Sequence, residues 1–273
     1  MNNILILFLA IIILFIFLCF IDYRIRENFY NYIDPKTLIN DPNICYVLWT
    51  GGYDSSFRVL QAFIDENKIV QPIYISDFID NVPGKKTSRK NKEEEYKAMN
   101  TIRKMVLKRY PDKAKNLRKI IDIKKIDLDS DTKILMKELR SQKSVRRSTC
   151  QYGAISQLSK DINAGRKNKI FLEIGVVKEN HGVNNYKNIG IYNTINNNID
   201  RNTYTISKHL NNNSVSLFKY LRFPLIDLNK KDMLEIAKKN GYNDILKKSW
   251  SCWYPRDGKP CGKCIMCRER ILK

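Results

Sequence analysis

The stretch ICYVLWTGGYDSSF, residues 44–57, joins an apolar run to a pair of glycines and then to a polar segment suited to begin a helix. Residues 44–49 are almost wholly apolar, as a strand covered on both faces of a parallel sheet requires. Further β-rich runs alternate with helical patterns along the chain, which is typical of β-α units. The sequence therefore predicts an α/β fold with a doubly wound, mostly parallel sheet.

The elements of this domain follow from the same patterns. Strands are predicted at residues 44–49, 69–76, 120–126 and 170–177. Helices are predicted at residues 55–66, 93–110, 132–141, 149–163 and 230–240. Gly241 follows the last helix, where a C-cap favours glycine.

Two segments are predicted to be loops. Residues 77–92 contain proline, glycine and a basic cluster, and either a solvated surface or a contact to phosphate or nucleic acid fits them. Residues 180–213 are rich in asparagine and have weak periodicity. They are expected to form an insertion that lies over the domain.

Residues 4–21 form an uninterrupted apolar run that would span about 27 Å as a helix, close to the thickness of a bilayer core. A single membrane pass is the simplest interpretation. A cleaved signal peptide and a buried core helix are the alternatives, although no basic residue precedes the run. Arg24, Arg26 and Lys36 follow it, which predicts a single-pass protein with its soluble domain on the cytoplasmic side.

Charge and histidine content limit the chemistry. The chain has 49 Lys and Arg residues against 28 Asp and Glu, a formal net charge of +21. This charge favours polyanionic partners such as nucleic acid, nucleotides or anionic lipid headgroups. With only two histidines, His181 and His209, an H-E-x-x-H metal site is excluded and a Ser-His-Asp triad has few candidates.

The glycine pair Gly51 and Gly52 stands where a strand should turn into a helix. Glycine permits a tight turn and a close approach of the backbone, while the N–H groups of a first helical turn attract an anion. Ser55 and Ser56 can cap the helix or donate to phosphate oxygens, and Asp54 is a candidate ligand for Mg²⁺. The G-K-[ST] ending of a Walker loop is absent. An ordinary turn with Asp54 as the helix N-cap is the alternative.

Four cysteines near the C-terminus have the spacing C-x8-C-x2-C-x2-C, and they are Cys252, Cys261, Cys264 and Cys267. Four thiolates at these spacings fit a tetrahedral structural Zn²⁺ with no open position. Such clustering is typical of a metal site in a reducing compartment rather than of a disulfide framework. An iron–sulfur cluster and a redox set without metal are the alternatives.

Two parts of the chain resemble one family. TGGYDSS, residues 50–56, resembles the S-G-G-x-D-S pyrophosphate loop of the PP-loop ATP pyrophosphatases, which activate a substrate by adenylation. SWSCWYPRDGKPCGKCIMCRER, residues 249–270, resembles the zinc-binding tail of the 7-cyano-7-deazaguanine synthases. Residues 223–246 are similar to that family's proline-leucine turn, lysine-initiated helix and following glycine.

The resemblance implies a Rossmann-like fold of the adenine nucleotide α hydrolase type, with ATP, Mg²⁺ and Zn²⁺ as cofactors. It implies catalytic roles for Asp54 and Ser55. The nucleotide would be held by Trp49, Thr50, Gly51, Gly52, Tyr53, Asp54, Ser55 and Ser56. The expected domains are a membrane anchor at 1–22, a juxtamembrane linker at 23–43, a PP-loop domain at 44–248 and a zinc-binding tail at 249–273.

The chain departs from the family's pattern in three places. Thr50 replaces a serine but keeps a hydroxyl. Where the family has a proline-arginine-asparagine motif, this chain has SVRRSTCQYGAISQL, residues 144–158, in which either Arg146 or Arg147 is the substitute. Residues 179–188 replace a loop that helps to hold the deazapurine. Lys178 and Lys231 are further candidates to meet a triphosphate or an acyl-adenylate, or else are ordinary solvated lysines.

The remaining cysteines have less distinctive surroundings. Cys19 lies in the apolar run, and Cys45 and Cys150 stand alone in sequence. Cys150 is either a small core residue or a nucleophile whose pKa is lowered by the arginines before it.

Three functions fit these features. The first is an ATP-dependent enzyme that converts a 7-deazaguanine carboxylate and ammonia to the nitrile. The second is a related adenylating enzyme that acts on tRNA or on another base, which the net charge of +21 suits. The third is a non-catalytic nucleotide-binding module tethered to a membrane. A homodimer is compatible with each of them.

Overall fold

The computed structural model describes most of the chain. The described residues are 8, 11–17, 30–31, 37–76, 90–124, 126–142, 150–178, 191–208, 210 and 212–268.

Within these residues, eight strands form one sheet in the order β1-β4-β3-β2-β5-β8-β7-β6. Their bounds are β1 Tyr30–Asn31, β2 Ile44–Leu48, β3 Ile69–Ile75, β4 Ile120–Ile123, β5 Leu172–Glu173, β6 Ile199–Asp200, β7 Thr205–Ile206 and β8 Leu221–Arg222. The first six strands of this order, β1, β4, β3, β2, β5 and β8, pair with their neighbours in parallel. Strands β7 and β6 extend the sheet in antiparallel fashion.

Helices connect these strands. Their bounds are α1 Tyr53–Leu60, α2 Lys92–Arg109, α3 Ser130–Ser141, α4 Cys150–Asn163, α5 Tyr192–Asn196, α6 Lys230–Lys239, α7 Asn243–Leu246 and α8 Ile265–Arg268. Helix α1 continues as a π-helical turn over Gln61–Asp65. Two 3₁₀ helices lie at Pro111–Asn116 and Asn213–Phe218.

Strand β2 is buried along its whole length. Its side chains alternate between two hydrophobic clusters on opposite faces of the sheet. Tyr46 and Leu48 pack into the cluster that includes α3 and α4, and Cys45 and Val47 pack into the cluster that includes α1, α2 and α6. The predicted α/β class and the mostly parallel sheet with both faces covered are confirmed.

The order of the strands places a switch point beside β2. The chain passes from β2 through α1 to β3 and then to β4, all on one side, while β5 pairs with β2 on the other side. In open α/β sheets, the loops at the carboxyl ends of strands diverge at such a point and leave a crevice for a ligand. The glycine loop after β2 therefore lies at the edge where this fold binds ligands.

Three of the four predicted strands are confirmed with small differences in extent. The prediction for residues 170–177 is wrong in length, because only Leu172–Glu173 pairs as a strand. The Val176 N–H donates to the Ile174 carbonyl at 3.0 Å, a tight turn that ends the extended backbone. The chain turns at this point, directly beside the start of α1.

The segment at 180–213 differs from its prediction. Residues 179–190 lie outside the described residues. The rest is ordered into α5, β6 and β7, and β7 pairs with β8 at the edge of the sheet. The predicted linker at 23–43 likewise contributes Tyr30–Asn31, which pairs with β4. Both segments therefore add strands to the sheet, which short polar sequences do not reveal.

The first residue of α1 decides between two interpretations of the glycine loop. Helix α1 begins at Tyr53 with Gly52 as its N-cap, so the alternative in which Asp54 is the N-cap is wrong. The C-terminal signal of α6 is confirmed. Gly241 has a φ of +75°, and the Tyr242 N–H donates to the Ala237 carbonyl at 3.0 Å.

Most of the predicted membrane span at residues 4–21 lies outside the described residues, as does Cys19. Residues 8 and 11–17 are helical, and their side chains are exposed. Among the residues that the structure describes, no helix combines the length and the apolar character needed to cross a bilayer.

Helix α1 is tied to the sheet by a buried ion pair. The Arg58 Nε donates to the Glu173 Oε2 of β5 at 2.5 Å, and both side chains are almost fully buried. The same guanidinium also pairs with Glu66 and donates to the Gln61 Oε1 at 2.7 Å. The Cys45 thiol donates to the Glu173 Oε2 at 2.9 Å, and burial raises the pKa of this thiol far above its usual value. Cys45 is therefore a core residue of this network.

Removal of the Arg58 guanidinium should destabilise the protein strongly. In Arg58→Leu, the Glu173 carboxylate loses its close partner in a dry environment, so we expect a loss of about 3–5 kcal/mol in the free energy of unfolding. Arg109→Leu is the matched control, because Arg109 pairs with Asp244 on the surface at 2.6 Å. Arg109→Leu should lower the free energy of unfolding by about 1 kcal/mol or less. Urea denaturation measures both, and equal losses would contradict the assigned role of Arg58.

Candidate functional site

The glycine loop, residues 49–56, begins where β2 ends. The Trp49 N–H donates to the Ile73 carbonyl at 2.8 Å, which extends the pairing with β3 by one residue. The chain then turns at Gly51, whose φ is +69°. A residue with a side chain rarely adopts this conformation, so the turn requires glycine.

Close packing fixes the same glycine. A Cβ atom placed on Gly51 would lie 2.8 Å from the Glu95 carbonyl oxygen and 3.2 Å from the Met99 Cγ. Glu95 is itself held, because its carboxylate accepts hydrogen bonds from the Tyr74 hydroxyl at 2.6 Å and from the Asn91 amide at 3.0 Å. Helix α2 therefore supports the loop from one side.

The start of α1 has no side-chain cap. The Ser55 hydroxyl instead lies 3.2 Å from the Thr50 Oγ1, accepts the Thr50 N–H at 3.3 Å and donates to the Gly52 carbonyl at 3.3 Å. These bonds hold the loop in a closed turn. The first N–H groups and the dipole of α1 remain suited to attract an anion, as expected for a phosphate site.

A second glycine brings β5 against this helix end. A Cβ atom on Gly175 would lie 3.1 Å from both the Asp54 carbonyl carbon and the Ser55 nitrogen. The backbone after β5 therefore touches the backbone of the first turn of α1, and any side chain at Gly175 would separate them. The prediction did not include Gly175, although a glycine inside an apolar strand pattern signals such a close approach.

Three residues of the predicted nucleotide site, all within the glycine loop, have buried side chains. Trp49 and Ser56 are fully buried, and the indole N–H donates to the serine hydroxyl at 2.9 Å. Tyr53 packs into the core, and burial together with the charge of Asp54 raises its pKa to about 12. These three side chains support the loop, and contact with a ligand stays a prediction for them.

The other candidate residues belong to other segments of the chain, and some of them lie outside the described residues. Lys178 follows β5 with an exposed side chain, and its N–H donates to the Leu228 carbonyl at 2.8 Å. Lys231 is exposed in the first turn of α6, 4.0 Å from Glu235. Arg146 and Arg147 lie outside the described residues, and Cys150 begins α4 with a side chain that is not described. Their roles stay predictions.

The four cysteines of the tail come together in space. Their sulfur atoms all lie within 4.8 Å of one another, with separations of 3.4 Å for Cys264 to Cys267, 3.9 Å for Cys261 to Cys267 and 4.0 Å for Cys264 to Cys252. A tetrahedral zinc site with bonds of about 2.3 Å places its sulfurs about 3.8 Å apart. The geometry therefore fits a four-thiolate metal site.

Backbone N–H groups support these sulfurs. The Cys261 N–H donates to the Cys252 Sγ at 3.2 Å, and the Cys264 N–H donates to the Cys261 Sγ at 3.3 Å. Donation from the backbone of Lys263 and Cys264 lowers the pKa of Cys261 to about 6, while burial raises that of Cys267 to about 12. N–H donation to thiolate sulfur is typical of metal knuckles.

A hydrogen bond joins the cysteine tail to the glycine loop. The Trp250 N–H donates to the Gly51 carbonyl at 2.7 Å, and the Trp250 indole N–H donates to the Cys252 carbonyl at 2.8 Å. The two sites predicted separately from sequence are therefore neighbours in the structure. No sequence signal at Trp250 indicated this contact, because it joins segments from opposite ends of the domain.

The fold and the site define a doubly wound α/β protein with a glycine loop at the switch point of its sheet and a four-cysteine tail. Residues 112–272, more than half of the chain, match the family model described as "Queuosine biosynthesis protein QueC". The chain belongs to this family. The glycine loop lies before the matched residues, so its interpretation depends on geometry.

Individual relatives are similar over shorter segments. The 7-cyano-7-deazaguanine synthase of Prochlorococcus marinus strain MIT 9515 is 53% identical over 47 residues, which are 17% of this chain and 20% of the relative. The synthase of strain MIT 9312 is 46% identical over 59 residues, which are 22% of this chain and 23% of the relative. The chain thus aligns with only a fifth to a quarter of the length of these curated relatives.

Gly51→Ala should reduce stability more than an alanine at another glycine with the same backbone conformation. Gly165 is the matched control, because its φ is +70° and nothing lies within 4 Å of its Cβ position. Gly165→Ala should cost about 1–2 kcal/mol from the left-handed conformation alone. Gly51→Ala should cost about 1–3 kcal/mol more, because the Glu95 carbonyl must move. Chemical denaturation compares them, and equal costs would contradict the packing argument.

Proposed function

We propose that the chain is an ATP-dependent enzyme that converts 7-carboxy-7-deazaguanine and ammonia to the 7-cyano compound. Membership of the QueC family and the similarity to 7-cyano-7-deazaguanine synthases support this reaction. Such a reaction needs a site for the pyrophosphate that ATP releases.

The glycine loop is the observation that carries the proposal. It places the uncapped first turn of α1 at the switch point of the sheet, with Gly175 in contact with the same turn. The backbone N–H groups there, together with Thr50 and Ser55, suit a bound pyrophosphate. Asp54 in the first turn of α1 is the proposed ligand of Mg²⁺, which would neutralise part of the phosphate charge.

In the proposed reaction, a carboxylate oxygen of the substrate attacks the α-phosphorus of ATP, and the bond to pyrophosphate breaks. Ammonia then displaces AMP to form an amide. The amide oxygen then attacks the α-phosphorus of a second ATP with release of a second pyrophosphate, and loss of AMP with two protons leaves the nitrile. The protein contributes mainly position and charge stabilisation, so the loop carries most of the rate enhancement.

The four-cysteine tail has a structural role in this proposal. Its residues fit Zn²⁺ with all four positions filled by sulfur. A site of this kind leaves no position for a substrate, so the tail stabilises the fold and takes no direct part in the chemistry.

Asp54→Ala should strongly reduce the release of pyrophosphate. The assay supplies the full chain in detergent with Mg-ATP, ammonium and 7-carboxy-7-deazaguanine, and it measures pyrophosphate and AMP. We expect substrate-dependent pyrophosphate that falls about 100-fold or more in the variant, because charge stabilisation of the leaving group is lost. Asp131→Ala is the control, since Asp131 is an exposed acid in the first turn of α3 and should leave the rate unchanged.

Other outcomes of this assay distinguish the alternatives. Pyrophosphate release that requires tRNA instead of the free base would replace the synthase with a tRNA-modifying enzyme. Binding of ATP without pyrophosphate release from either acceptor would indicate a nucleotide-binding module.

We further propose that residues 4–21 anchor the protein in a membrane, with the α/β domain on the cytoplasmic side. The exposed apolar side chains of the helical residues 11–17 support this placement. Replacement of Ile12 and Phe15 by lysine should release most of the chain from membranes washed at alkaline pH, because each charge costs about 3 kcal/mol in a bilayer. Lysine at Ile39 and Ile134, which are exposed apolar residues elsewhere, is the control. Equal retention of both variants would contradict the anchor.

A further inference from the structure

Residues 250–252, here called the strap, lie between the glycine loop and the four-cysteine set. At one end of the strap, the Trp250 N–H donates to the Gly51 carbonyl at 2.7 Å. At the other end, Cys252 contributes a sulfur to the cysteine set. The strap therefore links the two sites through one hydrogen bond and two peptide bonds.

The bond from Trp250 fixes the direction of one peptide plane in the loop. The peptide between Gly51 and Gly52 is trans, so its N–H points away from its carbonyl. With the carbonyl held by Trp250, the Gly52 N–H points towards the Thr50 Oγ1, which lies at 3.4 Å. Rotation of this peptide would aim a carbonyl oxygen, instead of an N–H, into the loop, and a carbonyl repels an anion.

A hydrogen bond from the Trp250 side chain stabilises the conformation of the strap. The Trp250 indole N–H donates to the Cys252 carbonyl at 2.8 Å, and the Cys252 sulfur accepts the Cys261 N–H at 3.2 Å. A Cβ atom on Gly52 would lie 3.7 Å from the Trp250 carbonyl oxygen, in ordinary contact. The position of Trp250 thus depends on Cys252, and that of Cys252 depends on the cysteine set.

We propose that Trp250 is a positioning residue through which metal binding at the four cysteines orders the glycine loop. Closure of the set fixes Cys252, Cys252 fixes Trp250, and Trp250 holds the Gly51 peptide with its N–H side towards the ligand. This inference depends on the proposed function only where it concerns nucleotide affinity. Since coupling between two binding sites is reciprocal, a nucleotide in the loop also strengthens metal binding.

The three tryptophans of the chain allow a direct test. In the full chain labelled with ¹⁵N-tryptophan, the backbone amide of Trp250 reports on its bond to Gly51. The amide of Trp49 reports on the sheet, because it donates to Ile73. Elemental analysis should find one zinc per chain. Removal of zinc with a chelator should accelerate hydrogen exchange at Trp250 about tenfold, leave Trp49 unchanged and reverse when zinc is restored.

Nucleotide affinity provides the second measurement. Equilibrium dialysis with Mg-ATP should show about five- to tenfold weaker binding after zinc removal, as the loss of one ordering hydrogen bond implies. Trp250→Phe keeps an aromatic ring but removes the indole N–H that bonds the Cys252 carbonyl, so it should weaken ATP binding similarly while it retains one zinc. Trp253→Phe is the matched control, because Trp253 is exposed in the same tail, and its affinity should not change.

The outcomes separate the two proposals. Unchanged exchange at Trp250 after zinc removal, or unchanged ATP affinity in both the zinc-free protein and Trp250→Phe, would overturn the role of the strap. Zinc-dependent exchange at Trp250 in a protein that binds no ATP under any condition would support the strap and overturn the proposed function.

Discussion

The buried ion pair between Arg58 and Glu173 is the interaction on which the geometry of the site depends. It joins the middle of α1 to β5. Strand β5 pairs with β2, the strand that precedes α1, on the side of the switch point away from β3. Two charges without water are tolerated only in close and well-oriented contact, so the pair permits little sliding of the helix. Because α1 cannot slide, its first turn stays at the end of β5, where Gly175 contacts Asp54 and Ser55. The direction of the helix dipole relative to the crevice follows from this one buried contact.

The glycine loop is constrained from three sides, and each constraint comes from a different part of the chain. Helix α2 presents the Glu95 carbonyl, the turn after β5 presents Gly175, and the tail presents Trp250. A loop with two glycines loses much conformational entropy when it orders, so without such neighbours it would sample many conformations. The surrounding contacts offset that cost before any ligand binds. A loop ordered in advance has its N–H groups already aimed, which reduces the free energy that a ligand must supply.

The sequence was sufficient for those features whose causes are local. Burial of an apolar run on both faces predicted β2, the positive φ of Gly241 follows from helix termination, and short cysteine spacings brought the four sulfurs together. Features with distant causes were missed. The strand after Ile170 is short because the chain must turn against α1, and the edge strands after residue 190 gain their pairing from β8. The bond from Trp250 to Gly51 likewise joins segments from opposite ends of the domain, and no local pattern encodes it.

The contact between tail and loop gives a physical reason for a metal site that takes no substrate. Four sulfurs around one ion leave no coordination position open, so such a site influences a reaction only through the backbone that it holds. Here that backbone is continuous with Trp250, two residues before Cys252, and the Trp250 N–H bonds the Gly51 carbonyl. This bond is the one proposed to set which side of the Gly51 peptide faces the crevice. An exposed tail with few buried apolar side chains cannot supply this rigidity by packing, because little apolar surface is removed from water there. In the proposed metal-bound form, thiolate coordination supplies it instead, and the constraint reaches the loop through the hydrogen bond from Trp250 to Gly51.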